Sequence, residues 1–278
     1  MQQLSVPRFA LNHMAAPLLP IAEFFALSQR CGCTAVEIRN DIAGNAILDG
    51  TTPDAIRAAA EKYGQTILTI NALQRFNEWN DTRAAEAEDL AAWCAAVGAQ
   101  ALILVPKNDG TGCGDSERMV NLRAALTALA PILQRHGIMG FVEPLGFEIC
   151  SLRLKSEAAA AITDLGLGDR FRITHDTFHH HLAGEAAIFP ALTGLVHISG
   201  VSDPDLALPL MLDAHRVLVD VRDRLDNVGQ IAGLIAAGVT VHCSFEPFAS
   251  EVHNSADIEA DLGASMEFIR SGLAAKAA

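Results

Sequence analysis

The amino-acid sequence predicts an α/β protein, a single (β/α)8 TIM barrel that occupies residues 1–278. Three observations favour this fold. Short apolar or β-branched runs alternate with Ala-, Leu- and Glu-rich segments of helical spacing, and this alternation repeats eight times. No glycine-rich phosphate-binding turn follows the first strand, where a doubly wound sheet would carry one. Finally, no linker, charge block or low-complexity tract marks a second domain.

The eight predicted strands are short apolar or β-branched runs, at 7–13, 35–40, 66–73, 101–106, 140–145, 171–178, 195–200 and 239–248. The predicted helices lie between them, near 20–30, 53–63, 82–97, 116–135, 156–165, 184–192, 227–237 and 255–272. Helix starts are indicated by residues such as Pro53 and Asp54 in a first turn and Asp81 before another helix. Glycines such as Gly98 and Gly137 indicate where helices end.

Composition and charge exclude several classes of protein. Half of the residues are hydrophobic (50%) and 19% are charged, which excludes a disordered chain because there is enough apolar surface to form a core. The net charge is −13, so a nucleic-acid partner or an anionic membrane surface is disfavoured. We expect no membrane segment and no export signal, and hence a cytoplasmic protein. The six cysteines contain no C-x-x-C pair, which argues against a disulfide framework or structural zinc.

The last four predicted strands each end in a potential metal ligand. These residues are Glu143, Asp176, His197 and Glu246, and successive members are one β/α unit apart. The strand ends of such a barrel meet at the face that carries the active site. A carboxylate-rich set with one imidazole suits Mn²⁺, Co²⁺, Mg²⁺ or Zn²⁺ better than copper. The sequence therefore predicts a divalent-metal site.

Motifs along nearly the whole chain resemble those of the xylose-isomerase-like barrels, and most closely those of the inosose (2-keto-myo-inositol) isomerase branch. They are VEIRND (36–41), INALQRFN (70–77), LVPKND (104–109), FVEPLGF (141–147), HDTFHHH (175–181), VHISG (196–200), LDAHRV (212–217) and SFEPF (244–248). The resemblance implies the same four metal ligands. It also implies that His179 and Arg216 contact the substrate, and that the chain forms a homodimer or homotetramer.

The same residues suggest a reaction. Moving a ketone to a neighbouring carbon, or inverting the carbon beside it, requires removal of a proton α to the carbonyl, and a divalent cation stabilises the enediolate that results. Glu143 and Glu246 are the predicted acid/base pair. Asn71 and Lys107, at the ends of predicted strands three and four, are further candidates to bind a small polyol or ketose. We therefore expect a metal-dependent isomerase or epimerase of carbohydrate metabolism, with inositol catabolism as one setting and manganese as one candidate ion.

Three alternatives stay open on the sequence. A dehydroshikimate-type dehydratase would use related enolate chemistry, and Arg39, Arg75, Lys107 and Arg216 are the cations that could bind its carboxylate-bearing substrate. A nuclease of the abasic-site type would need more ligands and fits the negative charge poorly. A binding protein that retains the site without turnover is the third. The loop at 217–227 lacks the Pro-Gly-x-Gly turn of close relatives, which leaves the placement of Arg216 open.

Overall fold

A computed structural model describes residues 7–42, 44, 47 and 49–277. Eight parallel strands form a closed barrel in sequence order, and the first strand pairs with the last. The strands are β1 (Arg8–Asn12), β2 (Ala35–Arg39), β3 (Thr66–Gln74), β4 (Ala101–Val105), β5 (Met139–Val142), β6 (Phe171–Asp176), β7 (Thr193–Ile198) and β8 (His242–Phe245). The fold class predicted from the sequence is confirmed.

Helices surround the barrel and connect its strands. They are α1 (Ile21–Arg30), α2 (Pro53–Lys62), α3 (Asp81–Val97), α4 (Asp115–His136), α5 (Lys155–Asp164), α6 (Thr177–Ala183), α7 (Asn227–Ala236), α8 (Ser250–His253) and α9 (Ile258–Ala277). Short 3₁₀ turns occur at His13–Ala15, Leu208–Leu210 and Asp213–His215. In the described part of the chain, no helix is both long enough and apolar enough to cross a membrane.

Local sequence signals account for the helix boundaries. Thr52 caps α2 by accepting a hydrogen bond from a backbone amide, and Pro53 occupies the first turn, where its missing N–H is not needed. Asn80 caps α3 in the same way. Gly98 and Gly137 adopt the left-handed conformation that ends α3 and α4. These signals place each helix so that the next strand can return to the barrel.

Strand alternation separates two apolar layers. Val36 and Ile38 of β2 pack in the large cluster between barrel and helices, whereas Ala35 points into the barrel interior. The interior cluster consists of Ala10, Ala35, Leu68, Ala72, Ala101, Ile103, Phe141 and Leu195. Four of its members, Ala35, Leu68, Ala101 and Leu195, lie in the N-terminal halves of their strands. Polar side chains occupy the interior above them, towards the C-terminal strand ends.

The helix predicted at 184–192 is wrong. The sixth helix is α6, which begins directly after β6 and is capped by Asp176, whose Oδ1 accepts a hydrogen bond from the His179 amide at 2.9 Å. Gly184, with a φ of 63°, ends the helix, and the following residues form turns and coil. The strand predicted at 171–178 therefore ends at residue 176. The capping carboxylate starts the helix seven residues earlier than the composition of the segment suggests.

The predicted strand at 239–248 is also too long. The ladder of β8 with β1 runs from His242 to Phe245, and the chain then leaves the barrel at Glu246. The short helix α8, Ser250–His253, follows and has no counterpart in the sequence prediction.

Candidate metal centre

Four side chains meet at the C-terminal end of the barrel. Glu143 follows β5, Asp176 ends β6, His197 lies near the end of β7, and Glu246 follows β8. All four are buried, and one potential ligand atom from each lies within 4.8 Å of the others. Parallel strands place their ends on one rim, so this convergence follows from the fold. The structure thus brings together all four residues that the sequence singles out as ligands.

The His197 ring lies at the middle of this group. Its Nδ1 atom is 2.6 Å from Glu143 Oε1, 3.2 Å from Glu246 Oε2 and 3.8 Å from Asp176 Oδ2. Burial alone would lower the pKa of His197, but the surrounding carboxylates outweigh burial and hold this pKa well above its usual value. The position near Nδ1 is therefore one that attracts positive charge.

Carboxylates outnumber the positive groups in the buried interior. The carboxylates of Glu37, Glu143, Asp176 and Glu246 accompany three such groups, the guanidinium groups of Arg39 and Arg216 and the His197 ring. Burial raises the pKa of Glu143, assisted by the neighbouring carboxylates of Glu246 and Asp176 and opposed by His197. An excess of carboxylate oxygens with one imidazole fits a divalent cation, which would offset the uncompensated negative charge. The residues present therefore fit the ion that the sequence predicts.

Glu246 is held on both of its oxygens. Oε1 accepts hydrogen bonds from Arg39 Nη1 at 2.7 Å and from Asn12 Nδ2 at 3.2 Å, and Oε2 accepts one from Arg216 Nη2 at 2.9 Å. Burial would raise the pKa of Glu246, but the positive charges of His197 and the two arginines hold this pKa well below its ordinary value. The carboxylate is thus fixed in orientation and ionised.

Arg216, predicted to contact the substrate, is 1% exposed and lines the cavity above the four residues. Its Nη2 also donates to Asp176 Oδ2 at 2.6 Å, its Nη1 to Asp213 Oδ1 at 3.1 Å and its Nε to Ser199 Oγ at 3.0 Å. The loop after β7 therefore places Arg216 firmly, although it lacks the turn of close relatives. Its guanidinium orders these carboxylates and lies over the rings of Phe178 and Phe248, with Cζ 5.2 and 4.7 Å from their centroids.

His179 is the other residue predicted to contact the substrate. It is 3% exposed and lines the cavity, and its Nδ1 atom has no hydrogen-bond partner among the residues that the structure describes. Its ring packs edge-on against Phe147 and Phe178, with centroid separations of 5.3 and 5.2 Å. Gly146 lies so close that an added Cβ would be 2.2 Å from the His179 carbonyl oxygen. The His179 ring therefore forms part of the cavity wall, in position to contact a ligand.

Asn71 and Lys107, the other two predicted substrate-binding residues, differ in their position relative to the cavity. Asn71 lines the cavity, but its Nδ2 donates to Glu37 Oε2 at 3.0 Å and to Thr69 Oγ1 at 2.9 Å. Lys107 lies outside the lining among the described residues, and its Nζ donates to Glu78 Oε1 at 2.5 Å. The structure therefore does not bring Lys107 to the centre.

The cavity above the centre has a volume of about 340 Å³, at the small end of the range for small-molecule sites. Besides the residues already described, its wall contains Asp41, Gln74, Arg75, Val105, Pro106, Asn108, Leu145 and Phe248. Each arginine in the wall pairs with carboxylates: Arg39 with Asp41 and Glu246, and Arg75 with Glu78 and Asp109. No unpaired cation faces the cavity in the described part of the chain.

A buried lysine lies behind Asp176, outside the barrel. Lys155 is 5% exposed, and its Nζ donates to His175 Nδ1 at 3.2 Å and to His180 Nδ1. Burial lowers the pKa of Lys155 to about 8 and that of His175 well below its usual value. His175 and Asp176 point to opposite faces of β6, as strand alternation predicts.

Sequence reasoning missed Glu37, Asn12 and Asp213. Glu37 had a detectable signal: it lies within the apolar run of β2, on the same face as Arg39, where a carboxylate is costly unless it has partners. Asn12 and Asp213 gave no such signal, because a single polar residue at a strand end or in a loop is common.

These features define a TIM barrel with a buried carboxylate and histidine centre that could hold a divalent metal ion. The chain belongs to the xylose isomerase-like TIM barrel family, whose model matches residues 25–272. No curated protein sequence matches the chain.

Solved structures agree with this assignment. A xylose isomerase domain-containing protein from Salmonella typhimurium LT2 is 34% identical, with a TM-score of 0.88 over 98% of this chain and 99% of that chain. The IolI protein with a bound zinc atom is 18% identical, with a TM-score of 0.84 over 96% of this chain and 98% of that one.

Two less similar structures also share the fold. A D-psicose 3-epimerase from Clostridium cellulolyticum H10 is 15% identical, with a TM-score of 0.70 over 96% of this chain and 99% of that chain. A probable 3-DHS dehydratase from Bacillus anthracis is 12% identical, with a TM-score of 0.70 over 94% and 97%. The fold thus has isomerase, epimerase and dehydratase neighbours.

Proposed function

We propose that the protein is a divalent-metal-dependent isomerase or epimerase that acts on an inosose or a small ketose. The observation that carries this proposal is the convergence of Glu143 and Glu246, with Asp176 and His197, beneath a cavity that no unpaired cation of the described residues faces. Mn²⁺, Co²⁺, Mg²⁺ and Zn²⁺ are the candidate ions, held by the four side chains. Such an ion supplies positive charge beside the ketone and hydroxyl oxygens, which favours loss of the α-proton.

The two glutamates would have unequal tasks. In the described residues, the Glu143 carboxylate accepts a hydrogen bond only from His197, so it has free lone pairs with which to take and return a proton. Glu246 has both oxygens engaged by Arg39, Asn12 and Arg216. We propose Glu143 as the group that moves the proton first, and Glu246 as its partner on the other side of the substrate.

The remaining cavity residues would orient the substrate. The His179 ring would bind one hydroxyl, and the Arg216 guanidinium would bind an oxygen that gains negative charge, because both side chains line the cavity. Asn71 would act mainly by fixing Glu37, because both hydrogen bonds of its amide nitrogen are within the protein.

The cavity favours a neutral polyhydroxy ketone over an anionic substrate. A dehydratase acting on a carboxylate-bearing substrate would need a cation able to bind that carboxylate. Arg39, Arg75 and Lys107 are all paired with carboxylates, and Arg216 with three of them. We therefore place the dehydratase second, although one structural neighbour is a probable 3-DHS dehydratase.

Two neighbours support the choice of ion and substrate class. The IolI structure contains zinc, and the D-psicose 3-epimerase structure contains D-tagatose. Transfer of either property to this chain is part of the proposal.

Proton NMR in D₂O tests the proposal. Protein loaded with Mn²⁺ or with a diamagnetic ion such as Mg²⁺ or Zn²⁺ would be incubated with 2-keto-myo-inositol and a panel of ketoses. Deuterium at the α-carbon with a shifted ketone indicates an isomerase, and deuterium with inversion indicates an epimerase. Loss of water with a new olefinic signal would instead support the dehydratase.

Matched variants assign the chemistry. We expect Glu143→Gln to lower the exchange rate by about 10³-fold, because proton transfer depends on its carboxylate. Glu259→Gln, on the surface of α9, should leave the rate unchanged. Full exchange in Glu143→Gln would remove Glu143 as the acid/base group. No exchange with any substrate, in protein that demonstrably binds metal, would overturn the proposed function.

A further inference from the structure

Glu37 is a buried carboxylate next to the candidate metal centre that does not belong to its four ligands. It lies on β2 and is 0% exposed. A buried carboxylate is costly unless its oxygens are satisfied, so its contacts indicate what it does.

Those contacts fix Glu37 in one orientation. Its Oε2 accepts hydrogen bonds from Thr69 Oγ1 at 2.6 Å and from Asn71 Nδ2 at 3.0 Å, and the same oxygen lies 3.1 Å from His197 Nε2. Asn12 Nδ2 lies 3.4 Å from Oε1 and also donates to Glu246. Three strands therefore hold the carboxylate against the far side of the His197 ring.

This arrangement decides which nitrogen of His197 carries hydrogen. A neutral imidazole has one N–H and one lone pair, and an ionised carboxylate can only accept. A metal ion at the centre would take the Nδ1 lone pair, which leaves the one hydrogen of the neutral ring on Nε2, where Glu37 accepts it. Nδ1 faces Glu143, Asp176 and Glu246. In the opposite tautomer, the Nε2 lone pair would face a carboxylate oxygen, which is repulsive.

We infer that Glu37 is a positioning residue that holds His197 with Nδ1 directed to the metal centre and thereby raises the affinity of the centre for a divalent ion. A carboxylate behind a metal-bound imidazole also makes the imidazole a stronger donor. The inference rests on the proposed function in one respect only, that the centre holds a metal ion.

Metal affinity of the full chain is the first test. Metal-stripped protein would be titrated with Zn²⁺ in competition with a chromophoric chelator. We expect Glu37→Gln to weaken Zn²⁺ binding by about 10- to 100-fold, the usual effect of removing such a partner. The matched control is Glu157→Gln, which alters a largely buried glutamate that pairs with Arg118 away from the centre and should change affinity less than about 2-fold. Equal affinity of Glu37→Gln and the wild type would overturn the inference.

The tautomer of His197 is the second test, and it needs no change at Glu37. In zinc-loaded wild type labelled with ¹⁵N-histidine, long-range proton–nitrogen correlation should show Nε2 protonated and Nδ1 bound to metal. The resonance is assigned by its loss in His197→Asn. Zinc on Nε2 would overturn the inference even if Glu37→Gln fails to fold.

These outcomes separate the two proposals. Zinc binding that depends on Glu37, without exchange of any ketose, supports the inference and contradicts the proposed function. If the wild type exchanges deuterium into a ketose but Glu37→Gln binds Zn²⁺ as tightly as the wild type, the proposed function is supported and the inference about Glu37 is contradicted. Absence of divalent-ion binding by the wild type would contradict both.

Discussion

The two sides of the candidate metal centre are built differently. On the side of β1, β2 and β8, the Glu246 carboxylate accepts hydrogen bonds from two arginines and an asparagine. On the side of β5 and β6, the Glu143 carboxylate has His197 as its hydrogen-bond partner among the described residues. The pKa of Glu246 is held well below its ordinary value by adjacent positive charges, whereas burial raises that of Glu143. One side provides a fixed charge, and the other leaves a carboxylate free to react.

The largest effect is expected in the stability of two matched variants of the metal-free protein. Glu246→Gln removes the charge that Arg39 and Arg216 share, and breaking such a buried pair should lower the free energy of unfolding by about 3 kcal/mol. Glu143→Gln removes a charge that burial already disfavours and should change it by less than about 1 kcal/mol. Urea denaturation with a chelator present measures both, and equal losses would contradict the comparison.

The next effect concerns Lys155, behind Asp176. The pKa of Lys155 in the folded protein is lowered to about 8 by burial, while the unfolded chain keeps the ordinary value near 10.5. Between these values the unfolded state binds more protons, so stability from this group rises with pH. From about pH 7 to about pH 10, the wild type should gain about 2 kcal/mol relative to Lys155→Met.

Denaturation of both proteins across this pH range checks that gain, and taking the difference cancels contributions from groups common to both. A stability difference that does not change with pH would show that the pKa of Lys155 is the same in the folded protein as in the unfolded chain.

A smaller pair of changes tests hydrogen bonding on the two sides. Asn12→Ala removes an amide that donates to both Glu37 and Glu246 and should cost about 1 to 2 kcal/mol. Thr177→Val, on the β6 side, removes a fully buried hydroxyl that has no hydrogen-bond partner in the described part of the chain, and it should stabilise the protein by about 1 kcal/mol. Chemical denaturation of each variant provides the comparison, and destabilisation by Thr177→Val would indicate a partner for that hydroxyl.

The smallest effect is expected at Lys107, which belongs to neither side. Its salt bridge with Glu78 is partly exposed, so Lys107→Met should change stability by less than about 1 kcal/mol. Because Lys107 does not line the cavity, KM for the substrate found by NMR should change less than about 2-fold. A larger rise in KM would restore Lys107 as a substrate-binding residue.

The fold and the four clustered side chains could be predicted because they depend on simple regularities. Alternating strands and helices identify the barrel, and the ends of parallel strands must share one rim. Glu143, Asp176, His197 and Glu246 therefore meet without any knowledge of side-chain packing. Their roles as ligands stay predictions, as do the homodimer or homotetramer and the cytoplasmic location.

The remaining features depend on contacts between distant segments. The role of Glu37 depends on its partners on β1, β3 and β7, and that of Arg216 depends on carboxylates from β6, β8 and its own loop. The orientation of Lys107 follows from Glu78 in a loop. The start of α6 was predicted too late because an aspartate at a strand end can bind a metal or cap a helix, and the sequence does not show that Asp176 begins a helix directly after β6.

Asp176 links the centre mechanically to a helix. Its Oδ1 accepts the hydrogen bond that begins α6, while its Oδ2 accepts one from Arg216 within the centre. A displacement of α6 would therefore move the Asp176 carboxylate and the His179 ring together. Substitution at Leu182, a buried residue one turn further along α6, would therefore reach the reacting groups through the backbone, without any contact with the substrate.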